Sequence, residues 1–490
     1  MRQMINAATN ERMTFKELTQ LTVDIALSLV HIGVKNGDVV SICSENVMEF
    51  LPVIYGTLAA GATFSAIDAS CGGLSSSHRF NIARPKILFC SPSTYNKNKD
   101  IITSMAFIEK IIIFGEPIEE AIGFKEFLTQ HANVDDFDTA PVNPLEDDAI
   151  ILFSSGTSGM PKGIRMTHYK YLIVLQNWYS EIYTGMRSLV VVDWYLSFGQ
   201  PLALFLHQMG VTLVYYNNAD EKKYLEIIQD YKINIMASTP TGVNFLLKHE
   251  NMYDISSLKA VFVAGAPSDG IMLQAIKKKL INAKLVYQYY GMTETGCIAS
   301  PRRAPGNPPM RSVGVVRDLF VIKIVDLESK KPVGANQRGQ ICFKSPSLTK
   351  GYIGGPVDCF DEEGFFKTGD IGYYDENKYL YVVDRIKDII KYNGFTLHPA
   401  EMEAVLLQHP AVLEVGVTGA PNETLVELPT AFVVLKPGAT ATEKELVDFV
   451  NEQMSVRMPL AGGVRFIDKI PRCIGVKVDR KKLKQMLQQN

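Results

Sequence analysis

The sequence lacks a paired-cysteine pattern, a strong net charge and an uninterrupted apolar run of membrane-spanning length. Its 7 cysteines among 490 residues are scattered, without a Cys-x-x-Cys pair, which argues against a disulfide framework and a structural zinc site. The 50 Lys and Arg residues nearly balance the 52 Asp and Glu residues, so no global field attracts nucleic acid or an anionic membrane. Proline, glycine and hydroxyl residues interrupt the apolar stretch 50–67, which predicts a buried helix and strand rather than a membrane span.

The two ends of the chain bear on where the protein resides. The first residues contain no apolar run of signal-peptide length, and the last three are Gln-Gln-Asn rather than a peroxisomal Ser-Lys-Leu. These features predict an intracellular protein and favour the cytoplasm over the peroxisome.

Length and hydrophobic rhythm predict a large α/β region followed by smaller units. Short apolar runs alternate with helical patterns up to about residue 310, which is typical of parallel sheets covered by helices. From about Arg311 onward, strands separated by Gly and Asp turns predict an antiparallel sheet. After Asp384, two helices and paired strands predict a compact α+β unit. We therefore expect domains at residues 1–384 and 385–490.

A strand-like run at 149–153 leads into the sequence SSGTSGMPKG, residues 154–163. The glycines let the backbone approach a ligand, the hydroxyl and backbone N–H groups can donate to phosphate oxygens, and the lysine supplies positive charge. It is neither a Walker A loop, which needs Gly-Lys in direct succession, nor a G-x-S-x-G nucleophile elbow. It predicts an anion site, with a plain Ser/Gly-rich surface loop as the alternative. The residues concerned are Ser154, Ser155, Gly156, Thr157, Ser158, Gly159 and Lys162.

Five motifs, spread in order along nearly the whole chain, resemble those of the adenylate-forming enzymes. That family includes acyl-CoA and aryl-CoA synthetases, beetle luciferases and the adenylation domains of peptide synthetases. The sequence looks most similar to the luciferase and coumarate-CoA ligase branch. The motifs are the loop 154–163, Tyr290-Gly291-Met292-Thr293-Glu294, Thr368-Gly369-Asp370, the hinge 384–388 and the segment 471–477.

The resemblance implies a fold with a large N-terminal domain of two α/β subdomains plus a β-rich subdomain, and a small mobile α+β C-terminal domain. It also implies that ATP and Mg²⁺ activate a small-molecule carboxylic acid as an acyl-adenylate, which then forms a thioester with CoA. Two alternatives stay open. One is a luciferin-type monooxygenase that acts on the adenylate, and the other is a catalytically weak homologue that binds a nucleotide or fatty acid.

The resemblance also assigns roles to particular residues. The loop 154–162 would hold the β- and γ-phosphates, Thr293 would donate to the α-phosphate and Glu294 would hold Mg²⁺. Lys477 would bridge the carboxylate and the α-phosphate in the first step, and Lys391 would serve the second step. Asp384 and Lys387 would belong to the hinge. The residues expected around the nucleoside are Gly265, Ala266, Pro267, Tyr290, Gly291, Asp370 and Arg385.

Each of these motifs also has a purely structural interpretation. A lone Thr-Glu pair such as Thr293 and Glu294 is often a helix cap. Asp370 lies between two strand-like runs and would suit a β-turn. Lys477 belongs to a basic segment in which a solvated lysine would be ordinary.

Three positions depart from the family's pattern. Leu196 stands where relatives carry a histidine, so we expect a more apolar acid pocket that also includes Phe198. Tyr289 stands where relatives carry a glycine, which predicts a shorter pocket and a small or differently oriented acid. Val476 precedes Lys477 where glycine is usual, so we expect a lysine loop that is less mobile or differently set.

Overall fold

The structure is a computed structural model of the chain. It describes residues 2–70, 73–154, 161–176, 184–218, 220–239, 243, 245–248, 252–265, 270–301, 308–349, 351–355, 359–392, 395–422, 426–453, 460–472 and 478–488. Within these ranges the helices are α1 (Phe15–His31), α2 (Phe50–Ala59), α3 (Gly73–Ala83), α4 (Pro92–Ser104), α5 (Phe124–Phe127), α6 (His168–Gln176), α7 (Gly199–Gln208), α8 (Glu221–Asp230), α9 (Phe245–Lys248), α10 (Gly270–Lys279), α11 (Pro399–Leu406), α12 (Glu443–Gln453) and α13 (Arg480–Gln488).

The strands are numbered in chain order. Those of the first half are β1 (Gln3–Asn6), β2 (Arg12–Thr14), β3 (Val39–Cys43), β4 (Thr63–Ile67), β5 (Ile87–Cys90), β6 (Lys110–Ile113), β7 (Ile122–Gly123), β8 (Asp148–Ser154), β9 (Lys162–Thr167), β10 (Arg187–Val190), β11 (Thr212–Tyr215) and β12 (Ile235–Ser238). Those of the second half are β13 (Ala260–Val263), β14 (Leu285–Gln288), β15 (Tyr290–Met292), β16 (Gly296–Ser300), β17 (Val315–Val316), β18 (Val321–Val325), β19 (Pro332–Val333), β20 (Gly339–Lys344), β21 (Phe366–Tyr374), β22 (Leu380–Arg385), β23 (Ile390–Tyr392), β24 (Phe395–Leu397), β25 (Val412–Asn422), β26 (Val426–Leu435) and β27 (Val464–Phe466).

Two seven-stranded sheets make up most of the first 290 residues. Their strand orders are β14-β13-β12-β10-β11-β1-β2 and β7-β6-β5-β3-β4-β8-β9. Each sheet is parallel except at one edge, where β2 and β9 run antiparallel to their neighbours. Inner strands such as β4 and β5 are buried at every position, as expected when helices cover both faces of a parallel sheet. The prediction of parallel sheets in an α/β region is confirmed.

The apolar stretch 50–67 folds as predicted, into the buried helix α2 and the buried strand β4. A Cβ atom on Gly56 would lie 2.6 Å from Ile25 Cγ2, so glycine lets α1 and α2 pack closely. The start of α1 is fixed by a capping box between Thr14 and Glu17. Among the described residues, no helix has both the length and the apolar character needed to span a membrane.

The β-rich part that follows is antiparallel, as predicted. Its main sheet has the order β19-β18-β20-β21-β22, and a smaller one has the order β15-β16-β17. Strand β21 continues without interruption through Asp370, which pairs with Arg385 of β22. The alternative interpretation of Asp370 as a β-turn residue is therefore wrong.

The last hundred residues form an α+β unit with its own core. The strand order is β24-β23-β26-β25, and β27 adds in parallel to β26. Buried side chains such as Val417, Val433 and Leu446 form this core between the sheet and its helices. An ion pair of 2.8 Å between Arg338 and Glu401 links the unit to the β-rich part. The predicted α+β architecture is confirmed, whereas the domain limits at residues 384 and 385 stay a prediction.

Two local features differ from the sequence-based expectations. The strands β1 and β2 were not predicted, because at four and three residues they are too short to show a period. The apolar run 284–290 would suit a single strand, but it is divided between β14 and β15, which belong to different sheets. Tyr289 lies at this division.

Candidate nucleotide and acid site

The expected phosphate loop connects the antiparallel strands β8 and β9. Ser154 ends β8 and lies opposite Lys162, which begins β9. A Cβ atom on Gly163 would lie 2.4 Å from Ile82 Cγ2, so glycine lets β9 approach helix α3. The Lys162 ammonium lies over the ring of Tyr352, 4.4 Å from its centroid. The remaining loop residues, Ser155, Gly156, Thr157, Ser158 and Gly159, lie outside the described residues.

Thr293 and Glu294 lie in the turn of the hairpin formed by β15 and β16. The helix-cap interpretation is wrong, because a strand follows the pair. A Cβ atom on Gly291 would lie 2.5 Å from the carbonyl oxygen of Gly296, so glycine permits this tight hairpin. The hydroxyls of Thr293 and Ser197 are hydrogen-bonded at 2.8 Å, which ties the turn to the segment after β10.

Glu294 has a buried carboxylate, and the residue is only 5% exposed. Tyr352 Oη donates a hydrogen bond of 2.7 Å to Glu294 Oε1. Burial has the largest effect on the Glu294 carboxyl and raises its pKa. Asp370 also raises this pKa, whereas the Tyr352 hydrogen bond and Arg385 lower it. A buried carboxylate is an oxygen ligand of the kind that Mg²⁺ prefers. The residues present therefore fit a magnesium ion that arrives with a nucleotide.

Asp370 is the centre of a second polar group. Its carboxylate accepts a hydrogen bond of 2.7 Å from Tyr290 Oη and forms an ion pair with Arg385, with 3.0 Å between Oδ1 and Nε. The Asp370 backbone N–H donates to Thr368 Oγ1 at 2.9 Å, which holds the strand in place. Burial is the largest cause that raises the pKa of the Tyr290 hydroxyl, so this group stays a donor at neutral pH. Tyr290 thus meets Asp370 and Arg385, which are partners on adjacent strands, while their roles around a nucleoside stay a prediction.

Gly265 follows strand β13, and Tyr290 follows the neighbouring strand β14. Both residues therefore lie beyond the carboxyl end of one parallel sheet, where ligands bind in open α/β folds. Gly265 has φ +90°, a conformation that glycine adopts at little cost. Ala266 and Pro267 lie outside the described residues.

The expected acid-pocket residues lie in two segments near the hairpin formed by β15 and β16. Leu196 and Phe198 are partly buried, and Ser197 between them contacts Thr293. Tyr289 directly precedes strand β15 and is 7% exposed. The segment that carries Leu196 therefore lies against the hairpin that carries Thr293, as expected if acid and phosphate meet there.

The hinge residue Asp384 is buried near the end of β22. Its carboxylate accepts a hydrogen bond of 3.1 Å from the backbone N–H of Ala400, in the first turn of α11. Burial raises the pKa of this carboxyl. Lys387 and Lys391 belong to the segment that follows and have exposed side chains. Lys477 lies outside the described residues.

Contacts between side chains gather the described polar residues into two groups. Tyr352 links Lys162 to Glu294. Asp370 links Tyr290 to Arg385. The structure therefore brings together residues from the α/β and β-rich parts of the chain.

Sequence reasoning missed two residues of the candidate site, Tyr352 and Ser197. Glycines flank Tyr352 at 351, 354 and 355, which indicates a loop and nothing about its contacts. Ser197 lies between the expected pocket residues Leu196 and Phe198, and its residue type alone indicates no contact. Neither residue has a spacing that would have identified it.

The AMP-binding enzyme family matches residues 2–353, and the AMP-binding enzyme C-terminal domain matches residues 401–474. The chain belongs to the AMP-binding enzyme family. The predicted resemblance to adenylate-forming enzymes is confirmed, and the protein is an adenylate-forming enzyme.

Its relatives include both luciferases and CoA ligases. The chain is 34% identical to luciferin 4-monooxygenase of Luciola mingrelica, over 98% of this chain and 91% of the relative. It is 32% identical to 4-coumarate–CoA ligase 1 of Petroselinum crispum, over 98% and 90% of the two chains. The crystal structure of ATP-bound MatB from Rhodopseudomonas palustris superposes with a TM-score of 0.87 at 25% identity, over 99% and 95% of the two chains. The predicted fold is confirmed by this similarity.

Proposed function

We propose that the protein is an AMP-forming acid–thiol ligase, which activates a carboxylic acid with Mg-ATP and passes the acyl group to CoA. The observation that carries this proposal is the group formed by Lys162, Tyr352 and Glu294. Tyr352 links a cation to a buried carboxylate there, and Asp370 raises the pKa of that carboxylate. Adenylation depends on positioning and on neutralising phosphoryl charge, and these side chains are suited to both tasks.

In the first step, a carboxylate oxygen of the acid attacks the α-phosphorus of ATP, and the bond to the pyrophosphate oxygen breaks. Lys162 and its loop would hold the departing β- and γ-phosphates. Thr293 would donate to an oxygen of the α-phosphate. Glu294 would hold Mg²⁺, which reduces the negative charge of the phosphates when bound. Lys477 would contact the carboxylate and the α-phosphate as charge develops between them.

The nucleoside would lie toward Asp370. A carboxylate has about four lone-pair sites, so Asp370 can accept from ribose hydroxyls as well as from Tyr290 and Arg385. Those two donors hold the carboxylate in one orientation before the nucleotide arrives. The adenine would lie near Tyr290 and Gly291 and the segment Gly265 to Pro267.

In the second step, the CoA sulfur attacks the acyl carbon of the adenylate, and AMP leaves. We propose that the C-terminal domain, residues 385–490, turns about a hinge at Asp384 and Lys387 between the two steps. Support comes from the Asp384 contact with Ala400, which joins the strand before the hinge to the first helix after it. Lys391 would then act in the second step.

The acid pocket would be formed by Leu196, Phe198 and Tyr289. Leucine offers no hydrogen bond where relatives carry a histidine, so the pocket wall would be apolar. The Tyr289 ring would shorten the pocket, which favours a small or differently oriented acid. We infer an aryl or short acyl substrate.

A luciferin-type monooxygenase is the second candidate, and the luciferin 4-monooxygenase relatives favour it. Leu196 in place of the histidine is the feature that counts against it. A weak nucleotide- or fatty-acid-binding homologue is the third candidate, since both Leu196 and Val476 depart from the family's pattern. We propose an intracellular location, with the cytoplasm favoured over the peroxisome, and cell fractionation would test this placement.

One coupled assay separates these candidates. A panel of aryl and short-chain carboxylic acids is tested for exchange of labelled pyrophosphate into ATP, then with CoA for thioester formation. The ligase predicts acid-dependent exchange and a thioester that requires CoA. Light from luciferin, ATP and oxygen without a thioester product would favour the monooxygenase, and no exchange with any acid would favour the binding protein.

A further inference from the structure

Tyr352 contacts two expected site residues from different parts of the chain. Its hydroxyl donates a hydrogen bond of 2.7 Å to Glu294 Oε1. Its ring lies under the ammonium of Lys162, with 4.4 Å between Nζ and the ring centroid. One side chain therefore connects the phosphate-loop lysine with the expected magnesium ligand.

The backbone around Tyr352 joins the same two elements. The N–H of Ile353 donates to the carbonyl oxygen of Gly163 at 2.8 Å, next to Lys162. The N–H of Thr349 donates to the carbonyl oxygen of Glu294 at 3.0 Å. The segment is thus hydrogen-bonded on one side to β9 and on the other to the hairpin turn.

The position of Tyr352 also joins the cores of two subdomains. Its ring packs against the large core of the α/β sheets and against the core of the β-rich part. This packing limits the movement of the ring, so the two polar contacts are held by the fold rather than by the exposed lysine. A side chain held in this way can orient its neighbours before a ligand binds.

We propose that Tyr352 is a positioning residue that holds Lys162 toward the phosphates and Glu294 toward the magnesium ion. The proposal rests on the proposed function, because it assigns those partners to Lys162 and Glu294. The ring contacts the Lys162 ammonium, and the hydroxyl at its far end contacts the Glu294 carboxylate. Its hydroxyl also donates a hydrogen bond to the buried Glu294 carboxylate. Without this donor, burying the carboxylate would cost more free energy.

The two contacts can be removed separately. Tyr352→Phe keeps the ring under Lys162 and removes the hydrogen bond to Glu294. Tyr352→Leu removes both contacts. Tyr381→Phe is a matched control, because the Tyr381 hydroxyl also donates to a carboxylate, Asp375 Oδ2 at 3.0 Å, away from the expected site.

Calorimetric titration with ATP at low and at saturating Mg²⁺ measures the effect without relying on catalysis. In the wild type, Mg²⁺ should tighten ATP binding. Tyr352→Phe should raise the Mg²⁺ concentration for half-maximal tightening roughly 10-fold or more, the loss seen when a residue that orients a metal ligand is removed. Tyr352→Leu should additionally weaken ATP binding at low Mg²⁺, and Tyr381→Phe should match the wild type.

A double-mutant comparison guards against an indirect effect on folding. In a Glu294→Gln background, Tyr352→Phe should no longer change the Mg²⁺ dependence, because the carboxylate that it orients is gone. An equal change in both backgrounds, or wild-type Mg²⁺ dependence in Tyr352→Phe, would overturn this inference and leave the proposed function standing. A wild type that binds no Mg-ATP would instead remove the proposed function itself.

Discussion

The proposed nucleotide side and the proposed acid side of the site are built from different kinds of contact. On the nucleotide side, Asp370 and Glu294 are buried carboxylates that each accept a hydrogen bond of 2.7 Å, and Asp370 also forms an ion pair with Arg385. On the acid side, Leu196 and Phe198 offer apolar surface. A few charged side chains therefore point to the class of reaction, whereas the identity of the acid depends on the shape of an apolar wall.

If this contrast is correct, substitutions on the nucleotide side should lower activity with every acid to the same extent. Changes on the acid side should alter which acid is used and leave ATP binding unchanged. Changes at the hinge should separate the two steps of the reaction.

The largest effect is expected from Lys477→Ala. It should lower adenylate formation roughly 100- to 1,000-fold, because a group that stabilises developing charge is lost. ATP should still bind, since other residues hold the phosphates and the nucleoside. Pyrophosphate exchange measures the rate and calorimetry the binding. Lys482→Ala on α13 is the control, and an unchanged exchange rate in Lys477→Ala would remove this lysine from the mechanism.

The next largest effect is expected from Asp370→Asn. It should weaken ATP binding roughly 10- to 100-fold, because charge-assisted hydrogen bonds are worth more than neutral ones. The loss should be the same with every acid. Asp375→Asn is the control, since Asp375 follows the same strand but accepts from Tyr381 and nearby backbone N–H groups. Equal weakening in both variants would show that the effect is structural.

A smaller and more selective effect is expected from Asp384→Pro. Proline fixes φ at the hinge, so thioester formation from added acyl-adenylate should fall more than pyrophosphate exchange. Asp384→Ala removes the contact with Ala400 without restricting the backbone to the same degree. Equal loss in both half-reactions of the proline variant would argue against a turning domain.

The smallest effect on overall activity is expected from Leu196→His. A polar group in the pocket wall should change the ranking of acids by less than about tenfold, with ATP affinity unchanged. The acid panel with calorimetry measures both, and Leu196→Met is the volume-conserving control. If Leu196→His changed ATP affinity as much as acid preference, the distinction between the nucleotide side and the acid side would be contradicted.

Some of the fold and site could be predicted from sequence because the signals are local. The hydrophobic rhythm predicted the parallel sheets, whereas the anion site predicted from the glycines and hydroxyls before Lys162 stays a prediction. Thr293, Glu294 and Asp370 were ambiguous, because a cap or a turn uses the same residue types. In the structure, Thr293 and Glu294 lie in the turn between β15 and β16, and Asp370 lies within β21.

Other features could not be predicted because they depend on tertiary packing. The contacts of Tyr352 with Lys162 and Glu294 join three segments that nothing in the sequence links. The hydrogen bond between Ser197 and Thr293 likewise joins two subdomains. A tyrosine between glycines and a serine beside a leucine have no distinctive spacing, so only the folded chain identifies them.

Calorimetric titration with Mg-ATP tests the central claim most directly. The account predicts saturable one-to-one binding to the wild type, weakened separately by Glu294→Gln and by Asp370→Asn although the two residues lie in different hairpins. No heat of binding in the wild type, or wild-type affinity in both variants, would contradict it.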